Sequence, residues 1–225
     1  MARTYRRNKN TALCRLRIRT GQAAIALVCL LALQAPLRAA LDAEKSLLAK
    51  GQYEEAITQL EAVVSRDPDN SEAAALLLEA RLETGEYRRA LEQGEAFLKR
   101  REATAVAEKA AEAALRIGEY ERAADLLRTV STPQAYWLRG LLADRKGRRE
   151  TARDAWGRLA AMAPDPAIFS GAEMGAIAAA LAELGQFKEA NQVYREAVRI
   201  APDHAGLKVA WGNLFLQKHN PGEAG

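Results

Sequence analysis

Apolar residues recur along most of this chain at the three- and four-residue spacing of an amphipathic helix. In the segment near residue 57, for example, Ile57, Leu60 and Val63 fall on one helical face. Glycines and prolines interrupt the pattern, and residues 67–70 (Asp-Pro-Asp-Asn) combine a helix stop with a helix start. No segment predicts a strand. The pattern therefore favours an all-α chain of short helices, in keeping with an alanine-rich composition that is only 6% aromatic.

A short string, glycine–x–aromatic–x–x–alanine, recurs along the chain. It begins at Gly51, Gly85, Gly118 and Gly185, and a degenerate copy begins at Gly147. The spacings between successive glycines are 34, 33, 29 and 38 residues. The repeated positions are Gly51, Tyr53, Ala56, Gly85, Tyr87, Ala90, Gly118, Tyr120, Ala123, Gly147, Ala152, Gly185, Phe187 and Ala190. A fixed period of this length predicts an array of structural repeats.

Each position of the string has a physical role in a helix–turn–helix unit. Glycine lets a first helix end in the left-handed conformation at little steric cost. The aromatic residue covers the turn between the two helices. The alanine lets the second helix cross the first closely, where a large side chain would push the helices apart. Proline then ends the second helix at Pro68, Pro164 and Pro202.

This pattern resembles the tetratricopeptide repeat, a 34-residue helix–turn–helix unit. The resemblance implies a right-handed α-solenoid of five repeats and a partial sixth after an N-terminal signal segment. The repeats cover about 37–70, 71–103, 104–132, 133–170, 171–204 and, in part, 205–225. Gly140 and Gly212 match its small position in the first helix. An unrelated helical bundle would need the same four in-phase copies by coincidence.

Several positions depart from the repeat pattern. The third repeat lacks the terminal proline, and a shortened second helix is expected there. The fourth has Arg149 in place of the aromatic residue and a longer linker at 164–170. Leu78 and Glu44 occupy positions that are small in the family. The local geometry of residues 130–170 is therefore the least determined part of the prediction.

Residues 1–39 have the composition of an export signal. They contain eight basic residues and no acidic residue, and an eleven-residue apolar run covers 23–33. Such a run is too short to span a membrane. We expect a cleaved signal near Ala39 or Ala40, which places the 40–225 repeat domain in the periplasm or outside the cell. The alternatives are an uncleaved inner-membrane anchor with the body outside the cytoplasm, or an ordinary cytoplasmic N-terminus.

The charge distribution argues against a nucleic-acid partner. The net charge of the chain is +4, but residues 40–225 contain 25 basic and 29 acidic residues. The basic character thus belongs to the N-terminal segment, and the body is mildly acidic. A membrane contact is expected only through an uncleaved N-terminal segment.

Residues that could carry chemistry are sparse. Both cysteines, Cys14 and Cys29, lie in the N-terminal segment, and the two histidines, His204 and His219, lie in predicted loops. No zinc-protease motif and no glycine-rich phosphate loop occurs. We therefore predict no catalytic site, no metal site and no cofactor in this segment.

The resemblance implies that the first helices line a concave groove that receives peptides or helices. Its predicted contact residues are Glu72, Glu79, Glu108, Glu112, Trp137, Leu141 and Asn213. Other positions on the same faces are Ala75, Leu82, Leu115, Leu138, Arg145, Gly175, Ala179, Glu183, Val209 and Leu216. The Lys, Arg and Asn residues with which some relatives clamp a C-terminal carboxylate are missing apart from Asn213.

These positions suggest a groove that takes a basic segment with an apolar anchor at Trp137, although Trp137 fits equally well as packing between repeats. We expect a protein–protein interaction scaffold of the bacterial cell envelope. The alternative is a substrate-recruiting arm of a longer exported enzyme, such as a protease, with its catalytic domain beyond residue 225. Residues 219–224 fall on the repeat frame, so residues 205–219 either cap the array or begin a further repeat.

Overall fold

The computed structural model describes residues 41–162 and 164–218. The chain forms two compact units, Met1–Glu44 and Lys45–Gly225. In the first, only residues 41–44 are described, and they are helical. The predicted signal segment, both cysteines and His219 lie outside the described residues.

In the described part of the second unit all regular structure is helical, and helices alternate with short turns. The helices are α1 (45–49), α2 (Tyr53–Arg66), α3 (Ser71–Glu83), α4 (Tyr87–Leu98), α5 (Thr104–Arg116), α6 (Tyr120–Leu127), α7 (Pro133–Arg145), α8 (Arg149–Ala160), α9 (Gly171–Glu183), α10 (Phe187–Ile200) and α11 (Ala205–Lys218). Odd-numbered helices are the first helices of the repeats and even-numbered helices are the second. From α2 onward each helix packs on the next, and the first helices also contact one another from α3 to α11.

The turn between the two helices of a repeat has the same geometry each time. All five string glycines have φ between 71° and 80°, which is the left-handed region. The next residue donates its N–H to a carbonyl five residues earlier, as Glu86 does to Arg81 at 2.8 Å. This hydrogen bond is the Schellman motif that closes a helix C-terminus. Glycine is required here because a Cβ would strain this backbone conformation.

The string alanines lie at the helix crossings. Each of Ala56, Ala90, Ala123, Ala152 and Ala190 is at most 1% exposed. The second helix begins at the string aromatic residue in α2, α4, α6 and α10, and at Arg149 in α8. The string therefore fixes both the start of each second helix and its distance from the first.

In the third and fourth repeats, which depart from the repeat pattern, particular side chains accommodate the departures. Helix α6 has only eight residues. Arg139 of α7 closes its C-terminus by donating to the backbone carbonyls of Leu127 and Val130. In the fourth repeat, the indole of Trp156 on α8 lies directly over Gly140 of α7, where a Cβ would come within 2.0 Å of its Nε1. Gly140 thus makes room for the largest side chain at this crossing.

A buried arginine links the first two repeats. The Arg81 side chain is 0% exposed, and it pairs with Glu61 of α2 and with Glu86 in the turn after α3. Its position in the helix is occupied by apolar residues in other repeats, such as Ala114 and Leu181. Burial of an arginine is tolerated here because two carboxylates balance its charge.

Candidate protein-binding groove

The first helices line an open cavity of about 680 Å³. We call this cavity the groove. Its lining includes eight of the predicted positions: Glu79, Glu108, Glu112, Trp137, Gly175, Ala179, Glu183 and Asn213. A second cavity of about 560 Å³ adjoins it and shares Glu79, Glu83 and Asn213. Five first helices, α3 to α11, thus contribute side chains to one concave surface.

Other predicted positions lie elsewhere. Glu72 is in the first turn of α3 and pairs with Lys45 at 2.6 Å, where both side chains are about half exposed. Leu141 is partly buried and packs against the hydrophobic core beside Trp137. Leu138 is 2% exposed and Leu82 is 8% exposed, so both belong to the core. The remaining positions, Ala75, Leu115, Arg145, Val209 and Leu216, also lie off the groove, although Val209 lines the adjoining cavity.

The structure adds a lysine that the sequence pattern did not single out. Lys109 lines the groove, and its Nζ lies 3.1 Å from Oε2 of Glu79. Burial alone would lower the pKa of Lys109, but the carboxylates of Glu79 and Glu112 outweigh this effect, and its pKa is raised. Lys109 is therefore charged, and it neutralises part of the acidic wall formed by α3 and α5. In the sequence, the only indication that Lys109 lies among carboxylates is Glu112, three residues later on the same helix.

Glu108 lines the groove and is held in place by a hydrogen bond. It accepts a hydrogen bond from the hydroxyl of Thr132, whose oxygen also accepts from the backbone N–H of Ala135 and caps α7. Burial raises the pKa of Glu108, and the carboxylate of Glu173 adds to the shift, although Thr132 and Lys109 act against it. The described residues thus offset only part of the unfavourable effect of burial on the charged form of Glu108.

A second carboxyl group with a raised pKa lies on α9, in the wall of the groove. Burial raises the pKa of Glu183, with a contribution from Asp144. Tyr194 of α10 reaches the groove, and burial together with the charge of Glu183 raises its pKa to about 12. Glu173, in contrast, accepts from both the N–H and the hydroxyl of Ser170 at 2.8 Å, so its carboxylate is already used to cap α9.

Trp137 packs against its neighbours and also lines the groove. Its ring packs against Trp156 with 5.9 Å between centroids, and it contacts the hydrophobic core. It also lines the groove and remains partly exposed. On the neighbouring first helix α9, Gly175, Ala176 and Ala179 offer only small side chains to the same cavity.

The described residues contain no cluster of His, Cys, Asp or Glu with the arrangement of a metal site. Within residues 41–162 and 164–218, no helix has the length and apolar character needed to cross a bilayer. His204 lines the groove and the adjoining cavity. The chemistry that this surface offers is charge, aromatic contact and shape.

Successive helix pairs with their first helices along one concave surface define an α-solenoid, a class built for contact along an extended groove. Models of the tetratricopeptide repeat match residues 47–96 and 174–204. The glycine and alanine of the string also recur in the helix pairs between these two segments, at Gly118 and Ala123 and at Gly147 and Ala152. This chain is a tetratricopeptide repeat protein, and proteins of this family generally bind other proteins.

Solved structures share this fold. The tetratricopeptide repeat protein TTC0263 of Thermus thermophilus superposes with a TM-score of 0.59 at 22% identity, over 80% of this chain and 98% of that one. A chain from the crystal structure of the APC/C hetero-tetramer Cut9–Hcn1 superposes with a TM-score of 0.53 at 16% identity, over 81% of this chain and 37% of that one. No curated protein sequence matches this chain. At these identities the similarity establishes the fold alone.

Proposed function

We propose that this protein is a non-catalytic scaffold whose groove binds a protein segment with basic residues and one apolar side chain. The observation that supports this most directly is the groove itself, where six glutamates and one lysine lie among the described lining residues together with Trp137. A surface of this composition attracts cations and disfavours acidic segments.

The state of the carboxyl groups supports the same conclusion. Glu79 and Glu112 lie beside Lys109, and Glu173 caps α9, so these three carboxylates already have partners. Glu108 and Glu183 have raised pKa values because burial disfavours their charge. A lysine or arginine placed beside either of them would supply the missing countercharge and return its pKa toward the ordinary range. We therefore propose Glu108 and Glu183 as the carboxylates that select a basic segment.

Trp137 is the proposed apolar contact. Aromatic side chains at the centre of an interface contribute much of the binding energy when a partner covers them. The small residues of α9 that line the same cavity as Trp137 leave room for a leucine-sized side chain or for the stem of an arginine, which also stacks favourably on an indole face. Because Trp156 holds the indole, little conformational entropy is lost when it is covered.

Binding can be measured by fluorescence anisotropy with a labelled peptide that carries several lysines and arginines around one leucine. Glu108→Gln keeps an acceptor for Thr132 while removing the charge. We expect this variant to weaken binding about three- to tenfold and to reduce its salt dependence. Glu150→Gln, on the exposed side of α8, is the matched control and should leave binding unchanged.

A second variant tests the aromatic contact. Trp137→Leu keeps an apolar side chain against Trp156 and should weaken binding of the peptide at least about tenfold. If the peptide binds equally well to wild type, Glu108→Gln and Trp137→Leu, the groove is not the binding site. If an acidic peptide binds as tightly as the basic one, the proposed charge selectivity is wrong.

We also propose that the scaffold acts outside the cytoplasm, in the cell envelope. The support for this is the sequence of residues 1–39, in which a basic stretch precedes the short apolar run. Mass spectrometry of the N-terminus of protein recovered from the envelope fraction tests it. A new N-terminus near Ala40 is expected, whereas intact chain confined to the cytoplasm would refute export.

A further inference from the structure

Arginines that have no partner among the described residues concentrate at the turn between α7 and α8. Eight of the 17 arginines in the described residues form ion pairs, and the side chains of Arg66 and Arg139 donate to backbone carbonyls. The other seven are Arg101, Arg145, Arg148, Arg149, Arg153, Arg158 and Arg195. Four of these lie within residues 145–153, and all four are exposed. We call Arg145, Arg148, Arg149 and Arg153 the arginine patch.

The repeat fold does not require these arginines, because the same turn forms without them in four other repeats. At the position of Arg148 the other repeats have glutamine or glutamate, and at the position of Arg149 they have the string aromatic residue. Arg153 is exposed, whereas Ile57 and Leu91 at the same position of the first two repeats are buried. The turn glycine of this repeat still has a φ of 71°, within the range of the others.

Two of the arginines lie at the end of a helix where positive charge is unfavourable. Arg148 is the N-cap of α8, and Arg149 is its first residue. The N-terminus of a helix has a partial positive charge, so a cation there is destabilised, whereas Arg145 in the last turn of α7 is favourably placed. The four like charges also repel one another. Unfavourable charges that the fold does not require indicate a role in binding.

The side chains of the patch are suited to carboxylates. A guanidinium group donates two parallel hydrogen bonds to one carboxylate, which an ammonium group does not do. The one lysine of the turn, Lys146, is already paired with Glu121 at 2.8 Å. Glu150 and Asp154 lie one helical turn apart on α8 and bound the patch on one side. An anionic ligand is therefore expected to contact the turn itself.

The charge of the surrounding surface restricts the ligand to a short segment. Outside residues 145–153, the 40–225 repeat domain has 20 basic and 28 acidic residues. A nucleic acid or an anionic membrane extends beyond the patch and would be repelled by these acidic surroundings. Exposed apolar side chains would help a membrane contact, but the large ones among the described residues lie elsewhere. They are Ile168, Val209, Phe215 and Leu216.

We propose that the arginine patch binds an acidic segment of a partner protein, with its guanidinium groups donating to aspartate and glutamate side chains. Residues 1–39 of this chain contain no acidic residue, so this segment is not the ligand. None of the four arginines lines the groove or the adjoining cavity. The patch is therefore a second site that does not depend on the function proposed for the groove. A scaffold with both sites holds two segments of opposite charge at once.

A labelled peptide made of aspartate, glutamate and glycine is the probe, and fluorescence anisotropy at low ionic strength measures its binding to the full chain. Arg148→Gln combined with Arg149→Gln should weaken binding at least about tenfold. Arg101→Gln combined with Arg195→Gln removes the same charge from exposed arginines elsewhere and should weaken binding less than about twofold. All variants keep residues 1–39, whose basic residues also attract the probe, so the difference between the two double variants reports the patch.

Two further measurements separate binding at the patch from a structural role of its arginines. Hydrogen exchange in residues 144–154 should slow when the probe is bound. The melting temperature of Arg148→Gln combined with Arg149→Gln should equal or exceed that of wild type, because positive charge is removed from a helix N-terminus. The proposal is overturned if both double variants weaken the probe equally, if protection arises only elsewhere, or if this variant melts below wild type.

Other occupants of the patch are tested with the same variants. At equal concentration of negative charge, the peptide should bind more tightly than phosphatidylglycerol vesicles or double-stranded DNA. Tighter binding of vesicles or DNA that depends on Arg148 and Arg149 would overturn the assignment to a protein segment. Sedimentation velocity follows the free chain, which should remain in the same association state in wild type and in the variant. Self-association that this variant abolishes would make a second copy the occupant instead.

Discussion

The packing of Trp156 over Gly140 predicts how Gly140→Ala changes the stability of the protein, in both direction and magnitude. In Gly140→Ala the new Cβ would lie 2.0 Å from Nε1 and 2.3 Å from Cδ1 of Trp156, far inside van der Waals contact. The indole is only 6% exposed and rigid, so α7 and α8 have to separate. Such overpacking costs about 1–3 kcal/mol. The better helix propensity of alanine returns roughly 1 kcal/mol.

Gly157→Ala is the matched control. Gly157 lies in α8 of the same repeat, and a Cβ there would meet no described atom within 4 Å. This variant should gain up to roughly 1 kcal/mol from propensity with no packing cost. The two variants share the propensity term. The difference between their free energies of unfolding therefore isolates the clash, and it should be about 1–3 kcal/mol.

Urea unfolding followed by circular dichroism and by tryptophan emission measures both variants. Repeat arrays can unfold in parts, so the two signals should be compared before a single transition is fitted. Trp156→Leu in the Gly140→Ala background should remove the clash, which makes the double variant more stable than the sum of the single changes predicts. If Gly140→Ala and Gly157→Ala shift the midpoint equally, the α7–α8 contact described above is wrong.

Three further changes probe the buried polar contacts and the groove. Arg139→Ala leaves the carbonyl of Leu127 without its donor and should cost about 1–3 kcal/mol in thermal unfolding, whereas Arg128→Ala, at an exposed ion pair, should cost less than about 1 kcal/mol. Arg81→Ala should cost roughly 3 kcal/mol in urea unfolding, the lower end for a broken buried ion pair because both glutamate partners are partly exposed. Glu108→Gln should raise the melting temperature at neutral pH. The raised pKa of Glu108 means that the folded state favours the protonated carboxyl group, so its stabilising contribution is present below the ordinary pKa of 4.5 and is lost as pH rises through the folded-state pKa. Glutamine stays uncharged and avoids this loss. The difference from wild type should therefore shrink on acidification, and a constant difference across this range would contradict the assignment.

The sequence predicts the regular part of the fold because each string position has a local cause. A glycine at φ near 75° and an alanine at a crossing are required in every repeat, so their period reveals the helix pairs. The all-helical fold and the tetratricopeptide repeat family are confirmed. The accommodation of Leu78 is not visible in the sequence, because it depends on Gly94 of α4. A Cβ at Gly94 would lie 3.1 Å from Cδ1 of Leu78 and 2.6 Å from Cβ of Ala110.

The charge of the groove was harder to predict than its location. Spacing along a helix places a carboxylate on the inner face, but it does not tell whether a cation from the next helix lies beside it. Lys109 follows Glu108 directly in the sequence and still reaches Glu79 on α3, because the groove is wide enough to receive adjacent side chains of one helix. The carboxylates of the groove therefore differ in kind. Glu79, beside Lys109, stabilises the contact between repeats, while burial disfavours the charged form of Glu108 and Glu183. Their place in the groove together with their raised pKa makes these two groups the candidates for contact with a bound segment.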